Sequence, residues 1–113
     1  MDDLIADLAE KTGLEPDAVR SALGRIIAFL EREDRSRQVS AMIDRLDGAR
    51  ALAAGRSASG GLFVLFAQLS GAGLGLDEIK AVATGFLAFA KSQLGVEEVD
   101  QTLRSIPSLS QFL

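Results

Sequence analysis

The chain has 113 residues, nearly half of them apolar, a net charge of −4, and neither cysteine nor histidine. That is one domain's worth of chain, with enough apolar side chains for a sizeable core. The missing residue types exclude disulfides, thiolate metal sites and any Ser-His-Asp or Cys-His mechanism within one chain, and the negative charge offers no global attraction to nucleic acid or an anionic membrane.

The absence of cysteine fits a reducing compartment, so a cytoplasmic location is expected. Aromatics are scarce: six Phe, no Tyr and no Trp. The core must therefore come from Leu, Ile, Val and Ala, with Phe as the large filler. The opening MDDLIADLAE has no basic n-region and no long apolar h-region, so it does not read as a secretory signal.

Taken in order, residues 2–11 read as a first helix. Leu4, Ile5 and Leu8 share one face, and Asp2 and Asp3 suit the positive end of the helix dipole. Gly13 is a stop signal. Pro16, with Asp17 beside it, opens a second helix over 16–32. In that helix Val19, Ala22, Leu23, Ile26, Ile27 and Leu30 recur at helical spacing. EREDRSR (31–37) is a solvated connection of mixed charge. A third helix over 37–46 buries Val39, Met42, Ile43 and Leu46. Gly48 interrupts it, and 49–54 continues as a short helical turn.

GRSASGG, residues 55–61, reads as the hinge between two halves. It divides one all-helical domain into 1–54 and 62–113. The fourth helix, 62–69, is apolar on nearly every side, which implies burial on nearly every side. Residues 57–76 carry no charge over about a membrane's length. Their glycines, serines and Gln68 and the shortness of the apolar part favour a buried core helix over a membrane span. GAGLG (71–75) leads to a fifth helix over 77–93, whose apolar face holds Ile79, Val82, Ala83, Phe86, Leu87 and Ala90. Gly95 stops it. A sixth helix over 97–106 opens on Glu97 and Glu98 and buries Val99 and Leu103. Pro107 ends it, and SLSQFL (108–113) forms a last turn that packs Leu109, Phe112 and Leu113 back onto the bundle.

An internal repeat underlies this order. Shifted by roughly sixty positions, residues 73–106 fall on residues 13–46 without a gap. Gly13 meets Gly73, Leu14 meets Leu74, Asp17 meets Asp77, Ala28 meets Ala88, Phe29 meets Phe89 and Val39 meets Val99. Conservative pairs such as Val19 with Ile79 and Ile43 with Leu103 follow. Two amphipathic helices can always be aligned in phase, but here two helices and the break between them stay in register. Two copies are too few for a solenoid, so the expected fold is all-α, about six helices in two similar three-helix halves about a pseudo-two-fold.

The second and fifth helices also carry stripes of small residues: Ser21, Gly24 and Ala28 on one, and Ala81, Thr84, Gly85 and Ala88 on the other. The expectation is that these helices cross there, near the pseudo-two-fold axis. The alternative is that the stripes face solvent or a partner subunit.

Candidate chemistry is thin. The carboxylates Glu31, Glu33 and Asp34, and Glu97, Glu98 and Asp100, sit at helix ends or in charged loops, where solvation explains them better than acid–base work. No stretch has the spacing of a calcium loop. GRSASGG and GAGLG lack the Lys–Ser/Thr pair of a Walker loop and the preceding strand of a dinucleotide fingerprint. No cofactor and no metal are expected. Eight arginines lie between Arg20 and Arg56. Acids are interleaved and no aromatics stand among them to stack on bases, so nucleic acid is not an expected partner.

One resemblance emerges from the second half. A small-residue helix ending in LAFAKSQL, then VEEVDQTLRSIPSL, resembles the VcgC/VcgE-like family of small bacterial proteins of unknown function. The residues that carry it are Gly85, Leu87, Ala90, Leu94, Leu103, Ile106 and Pro107, within 77–110. The arginine-rich first half departs from it. The resemblance implies a small helical bacterial protein and brings no catalytic residues.

The expected function is therefore non-enzymatic: a cytoplasmic interaction or scaffold module with a protein partner or a second copy of itself, the fourth helix and the small-residue stripes being the expected surfaces. A different class remains, a binder of an apolar small molecule or lipid between the halves, lined by Leu62, Phe63, Phe66 and Phe86.

Overall fold

In a computed structural model, the described residues are 2–33, 37–46, 48–53 and 62–104, with the side chain of Leu62 left aside. Among them are seven α-helices and no strand: α1 (Asp2–Thr12), α2 (Pro16–Glu33), α3 (Gln38–Arg45), α4 (Ala49–Ala53), α5 (Leu62–Gly71), α6 (Leu76–Leu94) and α7 (Val96–Arg104).

The helix count corrects the expected six, because Ala49–Ala53 stands as a helix of its own. The chain breaks before it at Leu46, which adopts extended backbone with φ −92° and ψ 122° while its side chain stays buried. The expected hinge at 55–61, Ile106, Pro107 and the last turn at 108–113 lie outside the described residues.

Helix ends follow local chemistry. Acids occupy the first turns of α1, α2, α6 and α7, and a lysine or arginine stands in the last turn of each. Both placements oppose the end charges of the helix dipole. Gly13 and Gly73 leave α1 and the turn after α5 with φ of 75° and 99°, a region that disfavours any side chain with a Cβ.

α2 is the centre of the molecule. It packs against α1, α3, α4, α5 and α6. Eight of its residues are buried: the six of its apolar stripe, with Gly24 and Phe29 beside them. α6 packs beside it and also touches α1, α5 and α7, while α3 and α7 close the far end. The largest fully buried side chains are Phe86, Leu23, Ile27, Ile43, Leu69 and Leu103. Each such side chain contributes about 1.5–3 kcal/mol relative to exposure. The radius of gyration is 12.9 Å, as a compact globule of this length requires.

Among the described residues a single hydroxyl interrupts the buried apolar faces. Thr102 on α7 is 7% exposed, and its Oγ1 donates to the Glu98 carbonyl one turn back at 2.9 Å. The hydrogen bond removes most of the cost of burying it.

Candidate functional site

The expectation that the fourth helix, now α5, is buried all round is corrected. Only Leu65 and Leu69 are buried, at 9% and 1%. Phe66 is half-buried and packs against the core, whereas Phe63 is 87% exposed and Val64 40%. Ala67, Ser70 and Gly71 are exposed with them. Residues 63, 67, 70 and 71 recur at i, i+4, i+7 and i+8, which places them on one side of the helix, with Val64 at its margin. No residue of α5 is charged. The composition concealed this. A helix apolar on every side can be buried on every side, or it can leave one apolar side uncovered, and hydropathy is the same in both.

Three of the four residues expected to line an apolar space differ in burial. Phe86 is fully buried in the core, Phe66 is half-buried, and Phe63 turns outward. The side chain of Leu62 lies outside the described set.

The small-residue stripes also separate. On α2, Gly24 is buried while Ser21 and Ala28 are half-buried. On α6, Ala81 and Gly85 are half-buried, and Thr84 and Ala88 are exposed. α2 and α6 do pack together, but the close approach at Gly85 is made by α1. A Cβ built on Gly85 would lie 2.6 Å from Leu8 Cδ2, inside any real contact. Gly85 is thus where Leu8 of α1 seats on α6. Nothing in the spacing of the small residues identified α1 as the neighbour.

Across the molecule, α5 meets α2 through a polar contact. Arg25 Nη1 donates to Gln68 Oε1 at 3.5 Å, and Arg25 Nε is buried without a partner. Arg25 is half-buried and has no carboxylate beside it among the described residues.

Among the described residues the densest polar cluster centres on Arg50 of α4. Its guanidinium donates to Glu31 Oε1 of α2 at 2.7 Å and to Asp44 Oδ1 of α3 at 2.7 Å through Nη2 and 3.0 Å through Nε. Nη2 also reaches the Ser40 carbonyl at 3.2 Å. The hydrogen bonds to Glu31, then Asp44, hold the guanidinium even more firmly protonated than usual. The arrangement ties three helices together. It offers a substrate no free base, since both acids are occupied by a permanent cation.

Of the other acids expected to be solvated helix ends, two are paired, Glu33 is half-buried at the end of α2, and Asp34 lies outside the described residues. Glu98 bonds Arg45 across α3 and α7, and Asp100 lies 3.5 Å from Lys91. Glu97 is exposed. Among the described residues no group of three or more His, Cys, Asp or Glu could hold a metal ion. No helix there is long and apolar enough to cross a membrane.

No protein-family model, curated protein or solved structure matches the chain. The resemblance of residues 77–110 to the VcgC/VcgE-like family thus rests on the residues quoted for it.

Proposed function

We propose that the chain is a non-enzymatic protein-interaction or scaffold module of the bacterial cytoplasm, and that it docks through the outer face of α5. One observation carries the reading. A phenylalanine 87% exposed, beside an exposed valine, sits on a helix with no charge to keep it wetted. Scattered surface apolar residues need no explanation, but a contiguous uncharged apolar face marks a surface that is covered in use. Glu31, Asp44, Glu98 and Asp100 are in ion pairs and Glu97 is at an exposed helix end, which supports a role without chemistry.

The reading includes an origin for that surface. We infer two copies of one helical unit about a pseudo-two-fold. Apart from α4, helices begin at 2, 16 and 38 in the first half and at 62, 76 and 96 in the second, so the first two pairs keep one shift and the third falls two residues short of it. Two contacts exchange under the same shift. Leu8 against Gly85 becomes Gln68 against Arg25, so α1 lies on α6 as α5 lies on α2. On this account α5 occupies the place of α1, and its outer face changed from charged to apolar.

Native mass spectrometry tests the proposal. A dimer or a complex that Phe63→Glu removes is the expected result. A small extra mass released on denaturation, with no change in Phe63→Glu, would instead establish the apolar-ligand reading.

A further inference from the structure

Resting on the interaction reading above, we propose that the occupant of the α5 face is a second copy of this chain, packed antiparallel across a two-fold axis at Ala67.

Side-chain size runs in one direction along the face: Phe63 and Val64 at the N-terminal end, Ala67 in the middle, Ser70 and Gly71 at the C-terminal end. An antiparallel copy centred on Ala67 sets Phe63 over Gly71 of the other helix and Val64 over Ser70, twice by symmetry. Each large side chain meets a small one, and Ala67 meets itself. That is the reciprocal pattern an isologous interface demands, where residue i contacts j and j contacts i. Small residues at the crossing let two helix axes approach to the short end of the usual 8–10 Å range.

Charge at this face does not oppose that occupant. The chain carries a net charge of −4, so two copies repel over most approaches. The outer face of α5 brings no carboxylate to the contact. The outer side of α1, by contrast, presents exposed Asp3, Asp7 and Glu10, and would set like charges against each other. Size bounds the strength. A helix of ten residues is about 15 Å long. Such a pair falls short of the roughly 1,600 Å² of a standard-size interface, so self-association through it is weak and concentration-dependent.

The chain has no cysteine, so one introduced thiol gives an unambiguous test. Ala67→Cys places both thiols at the axis, and oxidation should join most of the protein as a dimer. Ala41→Cys, exposed on α3, should remain monomeric under the same conditions. Ala67→Glu and Ala67→Lys, each checked for native helicity by circular dichroism, should weaken self-association at least tenfold. Mixing the two should restore a dimer. Equal cross-linking at 67 and 41, or a dimer that Ala67→Glu leaves unchanged, overturns the proposal. If a different protein binds wild type and not Phe63→Glu while position 67 fails to cross-link, the second-copy inference falls and the interaction reading stands. If α5 variants alter no binding at all, both fall.

Discussion

α1 and α5 do the same work on their inner sides and opposite things on their outer ones. α1 buries Ile5 and Leu8, and α5 buries Leu65 and Leu69. Each lies across one of the two long helices, through Leu8 on α6 or Gln68 on α2. Outward, α1 shows Asp3, Asp7 and Glu10, with Asp7 paired to Lys11 at 3.0 Å. α5 shows Phe63, Ala67 and Ser70 at the same helical spacing, with Val64 at the margin. Core formation needs only the inner side of each helix. The outer side is free to vary, and its charge is what distinguishes the two helices.

The largest effects should come from the inner sides, where the two helices ought to behave alike. Leu8→Ala and Leu69→Ala each remove a buried leucine and should cost about 2–5 kcal/mol, read from urea denaturation. A near-zero cost for Leu69→Ala alone would mean that α5 is not a fixed part of the fold.

Next is the seat of α1. Gly85→Ala forces a methyl into Leu8 and should cost about 1–3 kcal/mol of overpacking. Helix propensity returns about 1 kcal/mol of that. The net loss should shrink in a Leu8→Ala background, since the clash partner is gone. Independent, additive effects would contradict the Gly85–Leu8 contact.

The Arg50 cluster is smaller again. Its pairs are substantially exposed, with 46% of the Arg50 side chain accessible, so Arg50→Ala should cost about 1 kcal/mol. The folded state holds the Arg50 proton more tightly than the unfolded state. The stabilisation is therefore fully present below the ordinary arginine range and is lost only in strong alkali. A thermal melt series between roughly pH 5 and 9 should show no Arg50-dependent change.

Smallest in stability, and largest in association, are changes on the outer face. Phe63→Glu should move unfolding free energy by less than about 0.5 kcal/mol, as surface substitutions do. Asp7→Ala on α1 should be equally neutral, and unlike Phe63→Glu it should leave association alone.

Much of this fold is legible in the sequence. Helical spacing, Pro16, Gly13 and Gly95 set most helix limits within a residue or two, because local punctuation acts through the backbone itself. Burial of Val19, Ile43, Phe86 and Val99 follows from periodicity alone. The neighbours of each face do not follow, since spacing says that a residue is on a face and not what lies across from it. Gly85 illustrates this: its small size was readable, and its partner Leu8 was not. Phe63 illustrates it more sharply, because an apolar helix carries no marker of which side the fold leaves open. Arg50 stood among arginines read as solvated, and only the packing of α2, α3 and α4 brings Glu31 and Asp44 to it.

Sedimentation velocity of the full chain over a wide concentration range, beside Phe63→Glu, tests the central claim most directly. The wild type should pass from monomer to dimer as concentration rises, and Phe63→Glu should remain monomeric with unchanged helicity. A wild type that stays monomeric throughout, or a Phe63→Glu variant that dimerises equally well, would contradict a second copy seated on the outer face of α5.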